Sequence, residues 1–344
     1  MHARKGHRDK RKGRFAVNVG IVVIGRNEGQ RLVRCLESVL QVGCPVVYVD
    51  SGSSDDSVAA AESFGVETVE LDGASPFSAA RARNEGFRRL LEEYPGIRFV
   101  QFLDGDCTLV PGWIDAGVRA LLEESKRSAV FGQVMERNAA ASVYNRLCDI
   151  EWRCPPGDLA NCGGLGGRSM MREEVFRELG GFRPEVIAGE DSELGVRMGL
   201  AGYKVTSIAC PMATHDADLR SFRQWWLRAV RWGHAIGQRS DIHGSSAVRD
   251  CVRERNSTVF WGIGLPLLVF LTAFATRGAS LFLLAAYPLL GLRVWRYRRR
   301  VGDSAGDAAL YATFVLIAKF ANAIGLVKFF LNKWAGRYEI IEYK

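Results

Sequence analysis

Cysteine is present but never as a Cys-x-x-Cys pair. The eight thiols (Cys35, Cys44, Cys107, Cys148, Cys154, Cys162, Cys210 and Cys251) are scattered, which argues against a zinc framework. In a chain of 344 residues they suit a reducing compartment better than a disulfide scaffold. No internal repeat or low-complexity tract is present. No Gly-x-Gly-x-x-Gly follows the first apolar strand, which disfavours a dinucleotide-binding oxidoreductase. No apolar run directly follows the basic N-terminal residues, so they do not read as a secretory leader. Acidic residues are the minority, 38 Asp+Glu against 46 Lys+Arg, a formal net charge of +8. That balance points to an anionic partner: nucleic acid, a membrane surface or a phosphorylated substrate. The excess is uneven, and Arg4, Lys5, Arg8, Lys10, Arg11, Lys12 and Arg14 stand against Asp9 in a segment, 1–14, that reads as a disordered basic arm.

With 48% hydrophobic and 24% charged residues, the rest can bury a sizeable core. Short apolar runs alternate with helical patterns from Phe15 onward, which predicts an α/β layered sheet. Phe15–Ile24 reads as a first strand, Val46–Val49 as a second, Val66–Leu71 as a third and Phe99–Asp106 as the central one. Helices are predicted to about Leu40, over Ser57–Phe64 and over Ser78–Tyr94. The central run ends in Asp104-Gly105-Asp106. Residues i and i+2 of a strand share a side, so the two carboxylates can converge on one ligand. Paired hard oxygen donors suit Mg²⁺ or Mn²⁺, while a solvated turn is the plain alternative. Ligands of open α/β sheets sit outside the carboxyl ends of the strands. Three polar loops fall there: Gly25-Arg26-Asn27-Glu28, Asp50 to Asp56, and Asp104 to Asp106. Together they can grip a nucleotide, Asp50 accepting from a base or ribose and Arg81 or Arg83 meeting the diphosphate. Asp50 as a helix cap and the arginines as a solvated face remain open.

The order Val-Ile-Gly-Arg-Asn-Glu, Val-Asp-Ser-Gly-Ser-Ser-Asp, Ala-Arg-Asn-Glu-Gly and Phe-Leu-Asp-Gly-Asp resembles family 2 glycosyltransferases over about residues 17–238. The resemblance implies a Rossmann-like mixed sheet of the A-type nucleotide-diphospho-sugar transferase fold. It implies donor contacts at Gly25, Asn27, Glu28, Asp50, Arg83 and Asp104, and a metal, Mn²⁺ or Mg²⁺, at Asp104 and Asp106. The glycine-rich run Asn161 to Gly167 precedes a short helix and would let the backbone near Gly163 and Gly164 approach the donor; a plain flexible loop is the alternative. Glu190-Asp191 opens a further helix, where acids also serve as dipole partners. In the resembled family this pair is catalytic, and the general base maps to Asp191, which would take a proton from the acceptor hydroxyl in one inverting displacement. His215, past a predicted strand Lys204–Ile208, stands where such enzymes often place a metal ligand, although a lone histidine can equally be a structural hydrogen-bonder.

Leu219–Gly237 reads as an amphipathic helix suited to a lipid interface or to packing on the sheet. Within it, Arg228-Ala-Val-Arg231-Trp232 resembles the Arg/Gln-x-x-Arg-Trp signature of membrane transferases, implying Arg231 near the diphosphate and Trp232 near the acceptor. Asn256–Thr276 is long and apolar enough to span a bilayer and Gly278–Leu292 follows closely, with only Arg277 between them and arginines on both flanks. The positive-inside rule makes this a hairpin with cytoplasmic ends. Ala308–Leu331 is also apolar, but crossing would bury Lys319, so an interfacial or re-entrant helix is expected. The expected organisation is thus a basic arm at 1–14, a catalytic domain at 15–218, interfacial helices at 219–255, a transmembrane hairpin at 256–295 and a basic loop, membrane-associated helix and tail at 296–344. The partners implied are a nucleotide-sugar donor, a UDP-sugar by the family's common habit, a lipid-linked or glycan acceptor, and the inner (cytoplasmic) membrane with the catalytic domain cytoplasmic. No nucleic acid is implied. A nucleotidyltransferase and a non-catalytic nucleotide-sugar-binding membrane scaffold are the alternatives.

Overall fold

The computed structural model describes residues 18–337, so the basic arm at 1–14 and the last seven residues lie outside the described residues. The chain opens with β1 (Val19–Gly25), α1 (Gln30–Leu40), β2 (Val46–Asp50), α2 (Ser57–Ser63), β3 (Glu67–Glu70), α3 (Ala79–Glu93) and β4 (Phe99–Asp104). It continues through β5 (Cys107–Leu109), α4 (Trp113–Glu123), β6 (Arg127–Glu136), α5 (Val143–Trp152), β7 (Gly157–Asp158), β8 (Ser169–Arg172), α6 (Glu173–Glu178), α7 (Glu190–Leu200) and β9 (Lys204–His215). α1 buries Leu32, Cys35, Leu36 and Val39, one stripe at helical spacing. β1 and β2 are buried almost throughout, as parallel strands covered by helices must be.

The strands form one mixed sheet in the order β3-β2-β1-β4-β8-β6-β9-β5, with β7 beside β9. β3, β2, β1 and β4 run parallel, whereas β8 is antiparallel to both β4 and β6. Gly25 pairs with Asp50 and Ile24 with Asp104, so the first three polar loops leave the sheet side by side. β9 is longer than the sequence implies: twelve residues, ending on His215 itself. The antiparallel pairing of Cys107 with His215 draws this late strand against the residue that follows Asp106.

The C-terminal part is helical: α8 (Phe222–His243), α9 (Val252–Val259), α10 (Leu265–Ala273), α11 (Ala286–Arg300) and α12 (Ala305–Trp334). A π-helical turn, Phe260–Gly264, joins α9 to α10. Pro266 accounts for it, since proline has no N–H to give the carbonyl four residues back and its ring pushes that carbonyl away. Val252–Ala273 and Ala305–Trp334 are each long and apolar enough to cross a membrane.

One expectation changes here. The second arm of the hairpin is not one long helix; a 3₁₀ segment, Ala279–Ala285, precedes α11. The last apolar stretch is one unbroken 30-residue helix. It runs alongside α8, from Trp225 against Phe314 to Asp241 paired with Lys333. Gly233 and Gly325 permit the approach: a Cβ on Gly325 would collide with the Val230 carbonyl oxygen. α8 is therefore buried along much of its length, at Trp225, Val230, Gly233, Ile236 and Gly237 among others, rather than offering its apolar face to lipid.

Candidate active site

The level strand ends build a cleft of about 570 Å³. Gly25, Asn27 and Glu28 line one wall, Phe77 and Ser78 another, and Asp104, Asp106, His215, Glu190 and Arg231 close it. The first two loops are cross-braced. Asn27, at φ 53, donates its N–H to Ser53 Oγ (2.9 Å) and accepts from the Ser54 N–H at 2.7 Å, while Gly29 N–H donates to Asp55 Oδ2 (3.1 Å). Asparagine tolerates that left-handed backbone because its short side chain bonds locally.

Asp50 does not line the cleft. It is 1% exposed and accepts from Tyr48 OH (2.7 Å), Ser53 N–H (2.6 Å) and Ser53 Oγ–H (2.5 Å). Its oxygens close their own turn, and Ser51 next to it faces the cavity instead. Gly105 likewise touches the protein rather than a ligand site: a Cβ there would press on the Ile24 carbonyl oxygen at 3.2 Å. Arg81 is tied to Asp72 and to the carbonyls of Asp72 and Ser75, so it holds a loop.

Arg83 is the buried hub. One guanidinium nitrogen donates to Asp104 Oδ1 (2.7 Å) and another to Glu190 Oε1 (2.5 Å), 107 residues apart from it in sequence. Burial works against the cation, but Asp104, Glu190 and Asp191 outweigh it and raise its pKa. Gly167 lies against this guanidinium, and any Cβ there would strike it. The glycine-rich run thus contributes through Gly167. Gly163 and Gly164 do not line the cleft. The Gly163 carbonyl accepts from Arg239 (3.3 Å), and the preceding Cys162 carbonyl sits where a Cβ of Gly195 would be, packing the run onto α7.

His215 is flanked on both sides. Its Nε2 lies 3.2 Å from Asp106 Oδ1 and its Nδ1 3.5 Å from Glu136 Oε2. Potential ligand atoms of Asp106, Cys107 and His215 lie within 4.8 Å of one another. Burial pushes the Cys107 thiol well up. The Asp106 carboxylate and the His215 imidazole, with Asp104 lining the same cleft, are donors that fit Mn²⁺ or Mg²⁺. Arg168 was not legible as a site residue. It lies 3.8 Å from Cys107 Sγ, stacks over Trp152 at 5.0 Å and shares a small cavity of about 150 Å³ with Asp104 and His215. The one hint is its position directly after Gly166-Gly167.

A second cavity, about 780 Å³, adjoins the first. Asp191, Arg231 and Trp232 line it, with residues of α8, α9 and α12. Glu190 and Arg231 line both cavities, so the two meet there. Asp191 opens toward the second one while Glu190 turns to Arg83. Burial first, then the Glu190 charge, pushes the Asp191 carboxyl up to about 6. Arg231 donates to the Ile187 carbonyl at 2.9 Å, which fixes the loop before α7. Trp232 is half exposed at the cavity rim.

A mixed sheet with this strand order, carrying acidic strand ends above a nucleotide-sized cleft, defines the A-type nucleotide-diphospho-sugar transferase fold. Residues 20–180 match the model of glycosyl transferase family 2, which supports a family 2 glycosyltransferase domain there. It is similar to the probable glycosyltransferase YdaM of Bacillus subtilis, 22% identical over 231 residues. That match spans 62% of this chain but only about half (54%) of YdaM. It is also similar to glycosyltransferase AglE of Haloferax volcanii, 25% identical over 62% of this chain and 71% of that protein. Among solved structures, the mannosyltransferase PcManGT of Pyrobaculum calidifontis, in complex with GDP-Man and Mn²⁺, superposes with a TM-score of 0.56 at 16% identity, over 92% of this chain and 88% of that one. S. aureus TarS 1-349 gives 0.52 at 13% identity, over 95% of each chain. At these identities the structural likeness shows the fold.

Proposed function

We propose that the chain is a metal-dependent, inverting glycosyltransferase that moves a sugar from a nucleoside-diphosphate sugar to a hydroxyl of a membrane-held acceptor on the cytoplasmic face. The observation that carries this reading is the junction of the two cavities at Glu190 and Arg231, with Asp106 and His215 on one side and Asp191 on the other. The donor occupies the first cavity. GDP-Man and Mn²⁺ are bound by PcManGT, which shares this fold, and a nucleotide sugar is the donor class that fits. Asp106 and His215, with Asp104 beside them, would hold a divalent cation, which when bound neutralises charge on the leaving diphosphate. Arg83 fixes Asp104 and Glu190 in one orientation. Arg231, reaching both cavities, faces the same diphosphate. Asp191 accepts the acceptor's proton as that oxygen attacks the anomeric carbon, the nucleoside diphosphate departs, and one displacement inverts the centre.

Membrane attachment is part of the proposal. Phe270, Phe274 and Phe282 are 79%, 97% and 83% exposed, in and beside α10. Arg253 and Arg255 precede this apolar tip and Arg293, Arg296, Arg298, Arg299 and Arg300 follow it, a distribution that keeps both ends cytoplasmic. α12 keeps company with α8, which carries Arg223, Arg228, Arg231 and Arg239. Such a pair belongs at the surface rather than across hydrocarbon. The test is a screen of purified protein in detergent against UDP-, GDP- and dTDP-sugars with Mn²⁺. Nucleoside diphosphate release that needs Mn²⁺ and disappears in Asp106→Asn and His215→Ala supports the reading. Pyrophosphate release would assign a nucleotidyltransferase instead, and binding without turnover in the presence of acceptor a scaffold.

A further inference from the structure

Arg168 reaches the small cavity of about 150 Å³ that lies between the two larger ones. That cavity shares Asp104 and His215 with the first and Trp152 and Arg228 with the second. Among the described residues Arg168 makes no ion pair: one nitrogen lies 3.8 Å from Cys107 Sγ, and the guanidinium stands 5.0 Å over the Trp152 ring. The charges around it already have partners. Asp104, the one carboxylate lining the cavity among the described residues, pairs with Arg83 at 2.7 Å, and Asp106 faces His215. Arg228, on the same wall, pairs with Glu151 at 2.7 Å. Cys148, Ala217 and Leu219 complete the lining and are buried. A guanidinium has five N–H donors in a planar fork, and here one points at a sulfur. With one face covered by tryptophan and an apolar wall beside it, such a fork is complementary to a planar carboxylate held by two parallel hydrogen bonds.

A nucleotide sugar is a linear ligand: nucleoside, diphosphate, then sugar. Gly25, Asn27, Ser51 and Phe77 line the first cavity and not the small one, while His215, at the diphosphate, lines both. The small cavity therefore falls at the sugar end of the donor. Its volume equals that of about five waters at roughly 30 Å³ each, the scale of a sugar substituent rather than of a nucleoside. We propose that the transferred sugar carries a carboxylate, as a hexuronic acid does, and that Arg168 binds this carboxylate in the small cavity. The inference rests on the glycosyltransferase reading and names the donor class for that same site. Arg168 acts as a specificity residue: a neutral hexose leaves its fork unpaired in a site shaped for an anion, and unpaired polar groups are what let a site reject the analogue that lacks the matching group.

The full chain in detergent with Mn²⁺ is titrated calorimetrically with matched donors: UDP-glucuronate against UDP-glucose, UDP-galacturonate against UDP-galactose, and GDP-mannuronate against GDP-mannose. UDP and GDP serve as sugar-free references. In at least one pair the acid should bind at least tenfold tighter than its neutral partner. Arg168→Gln should bring that ratio below threefold, the loss falling on the acid donor. Arg168→Lys, which keeps the charge but not the bidentate fork, should lower the ratio at least threefold, and it carries the test if the glutamine variant fails to fold. Neutral donors bound as tightly as the acids in every pair, or a ratio unchanged in both variants, overturn the proposal. An equal loss for UDP, GDP and every donor in the variants also overturns it and assigns Arg168 to the diphosphate. Failure of the unaltered protein to bind any nucleotide would sink the glycosyltransferase reading and this inference with it, whereas equal binding of acid and neutral donors sinks the carboxylate alone.

Discussion

Asp191→Asn tests the proposed base through activity and stability at once. The carboxyl is raised to about 6, from an ordinary aspartate value near 3.9. Because the folded value is the higher one, the fold favours the protonated form. That advantage is complete below about pH 4 and is lost as pH rises through about 6. At pH 7.5 the ionised Asp191 therefore destabilises the fold relative to a neutral group by roughly 3 kcal/mol at most, two pKa units at about 1.4 kcal/mol each. Asparagine keeps the shape and removes the charge. Calorimetry at pH 7.5 should show the variant more stable, with a Tm higher by on the order of 5 °C. Near pH 4 the difference should vanish. Transfer should fall by about a hundredfold or more, the usual contribution of a general base, while nucleotide binding with Mn²⁺ persists. In the unaltered enzyme kcat/KM should rise with pH through about 6, as the carboxyl ionises. A variant less stable at pH 7.5, or one that keeps full transfer, would refute the reasoning.

Three further outcomes follow from the packing. Arg83→Lys should lose most transfer activity and destabilise the domain by about 3 kcal/mol or more, because an ammonium cannot span both Asp104 and Glu190 and one buried carboxylate is left unpaired; urea unfolding and donor turnover measure the two effects. Gly325→Ala should lower thermal stability by about 1–3 kcal/mol, since its Cβ would meet the Val230 carbonyl and push α12 off α8, while Ala308→Ser on the same helix serves as a milder comparison. Replacing Phe270, Phe274 and Phe282 with serine should shift the protein from the membrane pellet to the supernatant on fractionation, with donor binding retained; unchanged sedimentation would remove them from the anchor.

The sequence alone determined the alternation of strands and helices, the polar strand ends and the candidate pair Glu190 and Asp191. These are local properties: periodicity, glycine placement and acids at a helix start are written in neighbouring residues. The strand pattern offered Asp106 and the resemblance His215 as candidate metal ligands, and only the pairing of Cys107 with His215 brings their side chains to 3.2 Å. The fate of Asp50 was decided by Tyr48 and Ser53, whose hydroxyls turn inward and occupy its oxygens. Gly163 and Gly164 looked equal to Gly167 as letters, yet Gly167 alone of the three lies against Arg83, because the start of the run packs onto α7, with the Cys162 carbonyl against Gly195. Arg168 was invisible for a related reason: its role comes from Trp152 and Cys107, which approach it from other elements. Helix α12 was legible as apolar but not as the partner of α8, since the contact between Gly233 and Asn322 joins residues far apart in the chain. Spacing within one element determines which face a residue occupies; what that face meets is set by long-range packing, which no short stretch of sequence encodes.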